Sequence, residues 1–233
     1  MVPQILLASG SPRRRQILAW SGWSFDVAPV GIDETPYPEE RPESYVLRLA
    51  ETKARAAAAL VAPGVLILAA DTTVADGIDI LGKPADARQA ADMLARLRGR
   101  THQVYTALAL FSPQQERLVT DLCGTDVHMR AYNQAELEAY VASGDPLDKA
   151  GAYAIQHAGF HPVEDFRGCY ACVMGLPLCN LARLAAKLGL NPALDAPLVC
   201  QGNLRYDCPV FQAVRPDFRP DEHLAACQEE NNK

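Results

Sequence analysis

Hydrophobic and polar positions along the chain follow two periods, and each period predicts a different kind of element. Short apolar runs bounded by turn residues predict strands, whereas apolar residues three and four positions apart predict helices. The predicted strands cover residues 4–9, 23–30, 64–77, 78–81, 101–112, 117–130 and 167–174. The predicted helices cover residues 12–21, 42–60, 86–98, 133–143 and 180–190. This alternation favours an α/β or α+β fold.

Capping and turn residues support several of these boundaries. Pro12 suits the first position of a helix, and Ser44 is a candidate cap for the helix over 42–60. Asp86 can cap the next helix, and Gly99 can end it. The run 64–77 is apolar at nearly every position up to Asp71, which predicts a central strand that is buried on both faces and delivers Asp71 at its end.

The regular pattern weakens beyond residue 190. The last part of the chain is rich in proline and polar residues and keeps no sustained period. We therefore predict one domain over residues 1–190 and a C-terminal extension over residues 191–233 that is partly disordered.

Length and charge narrow the class of protein. The chain has 233 residues, enough for one large domain or two small lobes, and a net charge of −6. That charge argues against broad nucleic-acid binding but allows a local cationic pocket for a small anion. No apolar run approaches the ~18 residues of a membrane span. Residues 4–9 are too short for a secretory signal, so a cytoplasmic protein is expected.

The cysteines leave one alternative open. Seven cysteines, an odd number in a chain of this length, argue against a secreted disulfide framework. Cys169 and Cys172 have the Cys-x-x-Cys spacing of zinc ligands. On a strand, however, residues three apart point to opposite faces, so reduced and mostly buried thiols are the favoured interpretation.

The first candidate site lies between the first predicted strand and helix. Ser9 and Ser11 place hydroxyls beside the positive end of a helix dipole, and Arg13 and Arg14 follow at once. The parallel N–H donors of an arginine guanidinium suit phosphate, so this pattern predicts an anion site. Arg15 is expected to face solvent. The alternative is an ordinary helix cap with solvated arginines.

The second candidate site follows the apolar run that ends at Asp71. An aspartate there, followed by Thr72, can hold a divalent cation or polarise a water molecule. The alternative is a turn aspartate bound to its own backbone. Lys83 lies in a rigid turn beyond the next hairpin and can reach the same cleft, whereas Lys53 and Glu34 are individually weak candidates.

A third candidate segment is "DKAGAYAIQ" over residues 148–156. Small residues around Gly151 let the backbone approach a ligand closely. Tyr153 can stack on a base, and the Gln156 amide offers a donor and an acceptor that suit the edge of a pyrimidine. The alternative is a packed loop followed by a core strand.

Together these segments resemble one family. "LASGSPRRRQIL", "ESYVLRLAETKA", "AADTTV", "GKP", "THQVYTALAL" and "DPLDKAGAYAIQ…GLPL" have the order and spacing of the Maf family of nucleoside triphosphate pyrophosphatases, over about residues 4–190. The resemblance implies an α/β fold with a twisted mixed sheet, flanking helices and two lobes around a central cleft, similar to the inosine triphosphate pyrophosphatases. It also implies hydrolysis between the α and β phosphates, a need for Mg²⁺ or Mn²⁺, and a homodimer.

Within the family the chain is similar to the branch that acts on dTTP and UTP, through Asp71-Thr72, Gly82-Lys83-Pro84 and the segment 148–156. That likeness makes Asp71 the catalytic acidic residue and, with Glu34, a metal ligand. The substrate-binding residues it implies are Ser9, Arg13, Arg14, Lys53, Thr72, Lys83 and Gln156, of which Arg13, Thr72 and Gln156 govern substrate choice.

The sequence departs from the family at three places. Cys169 stands where the family usually has serine, and Ala154 and His157 each replace a common glycine. Two other functions stay open: a regulatory nucleotide-binding inhibitor of septum formation with little turnover, and a pyrophosphatase for another base, such as 7-methyl-GTP. The partner in each case is a nucleotide, not a nucleic acid or a membrane.

Overall fold

Strands and helices alternate along residues 4–190 and 195–210, the part of the chain that the computed structural model describes. The strands are β1 (Ile5–Leu7), β2 (Phe25–Val27), β3 (Leu66–Asp76), β4 (Asp79–Leu81), β5 (Thr101–Ser112), β6 (Arg117–Met129) and β7 (Val163–Arg167). The helices are α1 (Pro12–Trp20), α2 (Pro42–Ala56), α3 (Ala87–Leu97), α4 (Gln134–Ala142), α5 (Tyr170–Met174), α6 (Leu178–Lys187) and α7 (Ala196–Leu204).

The strands form one mixed sheet. Its order is β2-β1-β3-β5-β6-β7, and β4 pairs with the far end of β3. The short strand β1 is parallel to both of its neighbours, whereas β3, β5, β6 and β7 pair antiparallel. Helices flank this sheet, which confirms the predicted α/β class and mixed sheet.

The long central strands β3, β5 and β6 pass through two lobes. In one lobe, α1, α5, α6 and α7 bury one face of the sheet and α2 buries the other. In the second lobe, α3 and α4 pack on the other ends of the same strands, around Val74, Val104 and Val127. Side chains from both lobes line a cleft between them.

Asp71 does not end its strand, contrary to the sequence prediction. β3 continues to Asp76, and Asp71 pairs with Ala107 of β5 in the middle of the ladder. The residues after Asp71 are threonine and valine, which suit a pleated strand as well as a turn. β1 pairs with β3 only as far as Leu68, so Asp71 lies just beyond the end of the parallel pair.

The prediction of a strand over residues 167–174 is also wrong. β7 ends at Arg167, and the apolar run that follows is the helix α5. A five-residue apolar run fits either element by periodicity. Gly175 decides the outcome, because its φ of 100° lets it close the helix and donate to the carbonyls of Ala171 and Cys172. The argument from strand geometry against a shared Cys169–Cys172 site therefore does not apply.

The residue that caps the start of α2 is not the one that the sequence predicted. Arg41, not Ser44, occupies the N-cap position, and Pro42 is the first helical residue. Proline has no backbone N–H, so it fits a position where that donor has no partner within the helix.

Part of the predicted C-terminal extension is described by the structure. α7 packs against α1 and α6, and its Ala196 and Cys200 are buried in the core. Residues 191–194 and 211–233 lie outside the described residues, so the domain boundary and the disorder of the extension stay predictions. Along residues 4–190 and 195–210, no helix combines the length and apolar character needed to cross a membrane.

Candidate active site

The cleft between the lobes has a volume of about 720 Å³, a size typical of ligand pockets. It gathers residues from α1, α2, α5, β3, β5 and five connecting segments. All nine predicted site residues line it: Ser9, Arg13, Arg14, Glu34, Lys53, Asp71, Thr72, Lys83 and Gln156. Separate motifs, spread over almost 150 positions of the chain, thus converge on one surface.

The loop between β1 and α1 forms one wall of the cleft. Ser11 caps α1, and its hydroxyl accepts a hydrogen bond from the Arg14 backbone N–H at 3.4 Å. Ser9 is buried, and its hydroxyl accepts from the backbone N–H of Ser11 at 3.3 Å. The positive end of the α1 dipole therefore lies at the cleft, which favours a bound anion.

Arg14 is fixed by three acceptors. Its Nε donates to the Gly175 carbonyl at 3.0 Å, Nη1 to Ser9 Oγ at 3.2 Å, and Nη2 to Thr72 Oγ1 at 3.0 Å. A guanidinium carries five N–H groups, so one N–H remains on each terminal nitrogen. Burial lowers the pKa of Arg14, and the nearby charge of Asp71 opposes that change. Two parallel donors are the arrangement that suits a phosphate.

The two arginines that flank Arg14 differ in position. Arg13 is half-buried and lines the cleft. Arg15 is exposed and lies outside the lining, which confirms the expectation that it faces solvent.

Opposite the arginines, Lys53 bridges two carboxylates. Its Nζ lies 2.6 Å from Asp71 Oδ1 and 2.6 Å from Glu34 Oε1. Asp71 is only 7% exposed. Burial raises the pKa of Asp71, and the positive charges of Lys53 and Arg14 oppose that rise. Asp71 is therefore a carboxylate that lies near two cations, Lys53 and Arg14, and has an increased affinity for a proton.

The loop that carries Glu34 is anchored by α2. Tyr45 Oη donates to the Glu34 carbonyl at 2.8 Å, and Arg48 Nη2 donates to the Thr35 carbonyl at 3.1 Å. Tyr45 and Lys53 are eight positions apart, so they share one face of α2. Sequence reasoning missed both anchors, although the spacing of Tyr45 from Lys53 was available as a signal.

The two carboxylates fit a hard divalent cation. Among the described residues, Asp71 Oδ2 and Glu34 Oε2 make no hydrogen bond, so each group keeps one oxygen for a ligand. Carboxylate oxygens are the donors that Mg²⁺ and Mn²⁺ prefer. Residues 4–190 and 195–210 hold no group of three or more His, Cys, Asp or Glu able to bind a metal. A cation held by these two carboxylates would complete its coordination with phosphate oxygens and waters.

Lys83 and Gln156 lie on two loops of the second lobe, and both are exposed to the cleft. A hydrogen bond from the Gly151 N–H to the Gly82 carbonyl, at 3.1 Å, joins these loops. Gly151 has a φ of 67°, and a Cβ there would lie 2.8 Å from Val74. Glycine is required at this position because only it tolerates both the angle and the close approach.

Tyr153 also borders the cleft, but it is only 5% exposed. Its hydroxyl is hydrogen-bonded to His102 Nε2 at 2.7 Å, and the two rings meet edge to face. Its ring therefore belongs mainly to the core of the second lobe.

Comparisons with known proteins show the family of the chain. The Maf-like protein family matches residues 4–188. A dTTP/UTP pyrophosphatase of Dehalococcoides mccartyi is 44% identical, over 93% of this chain and 95% of that protein. Another, of Myxococcus xanthus, is 49% identical over 80% of this chain and 93% of that protein.

Among solved structures, the Staphylococcus aureus Ham1 protein is similar to this chain. The alignment covers 87% of this chain and 98% of the Ham1 chain, with 12% identity and a TM-score of 0.43. At this similarity it bears on neither the substrate nor the site. The family match spans the residues that build the cleft, from Ala8 to Gly175. On that match and on relatives that align over almost their whole length, the chain belongs to the Maf family.

Proposed function

We propose that the protein hydrolyses dTTP and UTP to the nucleoside monophosphate and pyrophosphate, and so removes these nucleotides from the pool. One observation carries the proposal: the buried carboxylate of Asp71 is paired with Lys53 and shares one cleft with Arg14. Curated relatives that align over 93% or more of their length bear the same activity in their names.

The cleft suits attack by water on a triphosphate. Arg13, Arg14 and Lys83 bind the phosphate oxygens and offset their charge. Asp71 orients a water molecule toward the α-phosphorus and accepts its proton, a role that suits a carboxylate whose pKa is raised by burial. The bond between the α-phosphorus and the bridging oxygen breaks, and pyrophosphate leaves. Phosphoryl transfer depends mostly on positioning and charge stabilisation, so no nucleophilic side chain is required.

Glu34 and Asp71 would hold a divalent cation, Mg²⁺ or Mn²⁺, in the same cleft, beside the phosphates of the substrate. When bound, it supplies positive charge to the phosphate oxygens and stabilises the charge that develops on them. Lys53 lies between the two carboxylates and keeps them together when no cation separates them.

Gln156 and Thr72 would read the base. The exposed amide of Gln156 offers one acceptor and two donor hydrogens, which match the alternating acceptors and N–H of uracil and thymine. Thr72 lines the cleft from the middle of β3, beside Arg14.

A panel of nucleoside triphosphates tests the proposal. Purified protein with Mg²⁺ is given dTTP, UTP, CTP, 7-methyl-GTP and modified pyrimidine triphosphates, and pyrophosphate release is measured. We expect the highest kcat/KM for dTTP and UTP. Nucleotide binding without release of pyrophosphate, or a preference for 7-methyl-GTP, would contradict it.

The Tyr45 anchor leads to a separate prediction. Tyr45→Phe removes the hydrogen bond to the Glu34 carbonyl but keeps the ring, and a hydrogen bond of this kind is worth about 1 kcal/mol. Because Glu34 becomes less well placed, the Mg²⁺ concentration for half-maximal activity should rise about fivefold. Mn²⁺ binding measured by electron paramagnetic resonance should weaken by a similar factor.

Tyr132→Phe is the matched control. Tyr132 is buried, and its hydroxyl donates to the Leu94 carbonyl at 2.6 Å, away from the cleft. It should lose similar stability without any change in metal affinity. Equal metal affinity in the Tyr45 variant and the wild type would refute the role of the anchor.

A further inference from the structure

We propose that Thr106, which is buried behind the cleft on β5, is a positioning residue that makes the Thr72 hydroxyl an acceptor toward the substrate. Thr106 is fully buried and does not line the cleft. It lies in the segment THQVYTALAL, but the sequence assigns it no role. The inference rests on the proposed function, because it concerns how the same site distinguishes one pyrimidine from another.

A chain of hydrogen bonds connects Thr106 to Arg14. Thr106 Oγ1 donates to the Cys172 carbonyl at 2.7 Å. The hydroxyls of Thr72 and Thr106 lie 2.8 Å apart, and Arg14 Nη2 donates to Thr72 Oγ1 at 3.0 Å. Thr72 and Thr106 face each other directly in the β3–β5 ladder, so the backbone sets this spacing.

The donor and the acceptor in each of these hydrogen bonds follow from the number of hydrogens that each group carries. A hydroxyl has one hydrogen, and a carbonyl has none to give. The Thr106 hydrogen goes to the Cys172 carbonyl, so between the two threonines the donor must be Thr72. Thr72 has then used its only hydrogen, and one of its two lone pairs accepts from Arg14.

One lone pair remains on Thr72 for a ligand in the cleft. Thr72 can therefore accept a hydrogen bond from the substrate but cannot donate one. Phosphate oxygens are acceptors and are excluded as its partner. Uracil and thymine carry a hydrogen on N3, which is a donor, whereas N3 of cytosine is an acceptor. A fixed acceptor that faces N3 therefore favours the first two bases over cytosine, because two acceptors opposite each other leave both groups unsatisfied.

The segment behind Thr72 holds this arrangement in place. The Gly175 carbonyl, at the end of α5, accepts from Arg14 Nε, and Cys172 lies in the same helix. A Cβ on Gly175 would lie 3.1 Å from Thr72 Oγ1 and 3.2 Å from Arg14 Nε. Thr72 and Arg14 are thus packed directly against the backbone of α5, which limits other orientations of the Thr72 hydroxyl.

The variant Thr106→Val tests the inference, because it keeps the shape of the side chain and removes the hydroxyl. Thr72 is then free to turn its hydrogen toward the cleft. We expect kcat/KM for UTP to fall about tenfold and the preference for UTP over CTP to fall by at least about tenfold. Thr106→Ser restores the hydroxyl and should restore the preference for UTP.

Thr125→Val is the matched control. Thr125 is also buried, and its hydroxyl donates to the Cys169 carbonyl at 3.2 Å, next to the same helix α5. It has no hydrogen bond to Thr72. This variant should keep the wild-type preference for UTP even where it lowers thermal stability.

Binding by calorimetry, with α,β-methylene analogues of UTP and CTP, gives a readout that does not need turnover. Thr106→Ala replaces the valine variant if the latter shows no cooperative melting transition. An unchanged UTP-to-CTP binding ratio in folded Thr106→Val, or in Thr106→Ala where it replaces the valine variant, would overturn the inference, as would an equal loss in Thr125→Val. Absence of pyrophosphate release by the wild type would instead refute the proposed function, and the binding ratio would still decide the role of Thr106.

Discussion

Asp71→Asn is expected to lower kcat for pyrophosphate release from UTP by about 10³-fold while the protein stays folded. Asparagine has nearly the same shape but carries no charge and cannot take a proton from water. Stability should not fall, because burial raises the pKa of Asp71 and a neutral amide avoids the cost of burying that charge. Lys53 keeps Glu34 as its partner. Turnover and thermal melting measured on the same preparation check both expectations.

Asp76→Asn is the control for this prediction. Asp76 lies on the same strand, five residues further on, and pairs with Arg96 at 2.7 Å and Arg100 at 3.2 Å. It does not line the cleft. This variant should keep close to wild-type turnover, so a loss in both variants would point to general damage to β3. Near-normal turnover in Asp71→Asn would refute the catalytic role.

Arg14→Lys is expected to lower kcat/KM for UTP by about 100-fold, although the charge is kept. The arginine donates to Gly175, Ser9 and Thr72 and still has two N–H groups for phosphate. An ammonium group has only three hydrogens on one nitrogen and cannot meet acceptors on three sides while binding phosphate. Steady-state kinetics with UTP and Mg²⁺ measures the effect.

Arg15→Lys provides the neighbouring control. Arg15 follows directly in α1 but is exposed and lies outside the cleft. Its replacement should leave kcat/KM within about twofold of the wild type, as for most exposed substitutions. Near-normal kcat/KM in both variants would mean that the arginines act through charge alone and not through the contacts of Arg14, whereas similar losses in both would point to general damage to α1.

The fold was predictable where local pattern decides it. The apolar run of β3 and the spacing of α2 and α3 predicted these elements within a few residues. Prediction failed at Asp71 and over residues 167–174, where short stretches suit two conformations equally. Pairing with β5 keeps Asp71 inside a strand, and Gly175 closes the residues after Arg167 as a helix. Neither long-range pairing nor the angle at Gly175 is visible in local periodicity.

The site was predictable for charged residues but not for the residues that hold them. Asp71, Lys53 and Arg14 carry charges that suggest a role with phosphate or metal, and the structure places them in one cleft. Tyr45 and Thr106 were missed because their partners, Glu34 and Cys172, are 11 and 66 positions away in the sequence. A buried hydroxyl resembles any core residue until the fold shows which group it contacts. The individual roles assigned to the site residues stay predictions.

Hydrolysis of UTP in ¹⁸O-labelled water determines whether water attacks the α-phosphorus. Mass spectrometry of the products shows which phosphorus the water attacked and which bond was broken. If Asp71 directs water to the α-phosphorus, UMP will carry one ¹⁸O atom and pyrophosphate none. Label in pyrophosphate, or formation of UDP and inorganic phosphate, would show that water attacks another phosphorus and would refute the proposed role of Asp71.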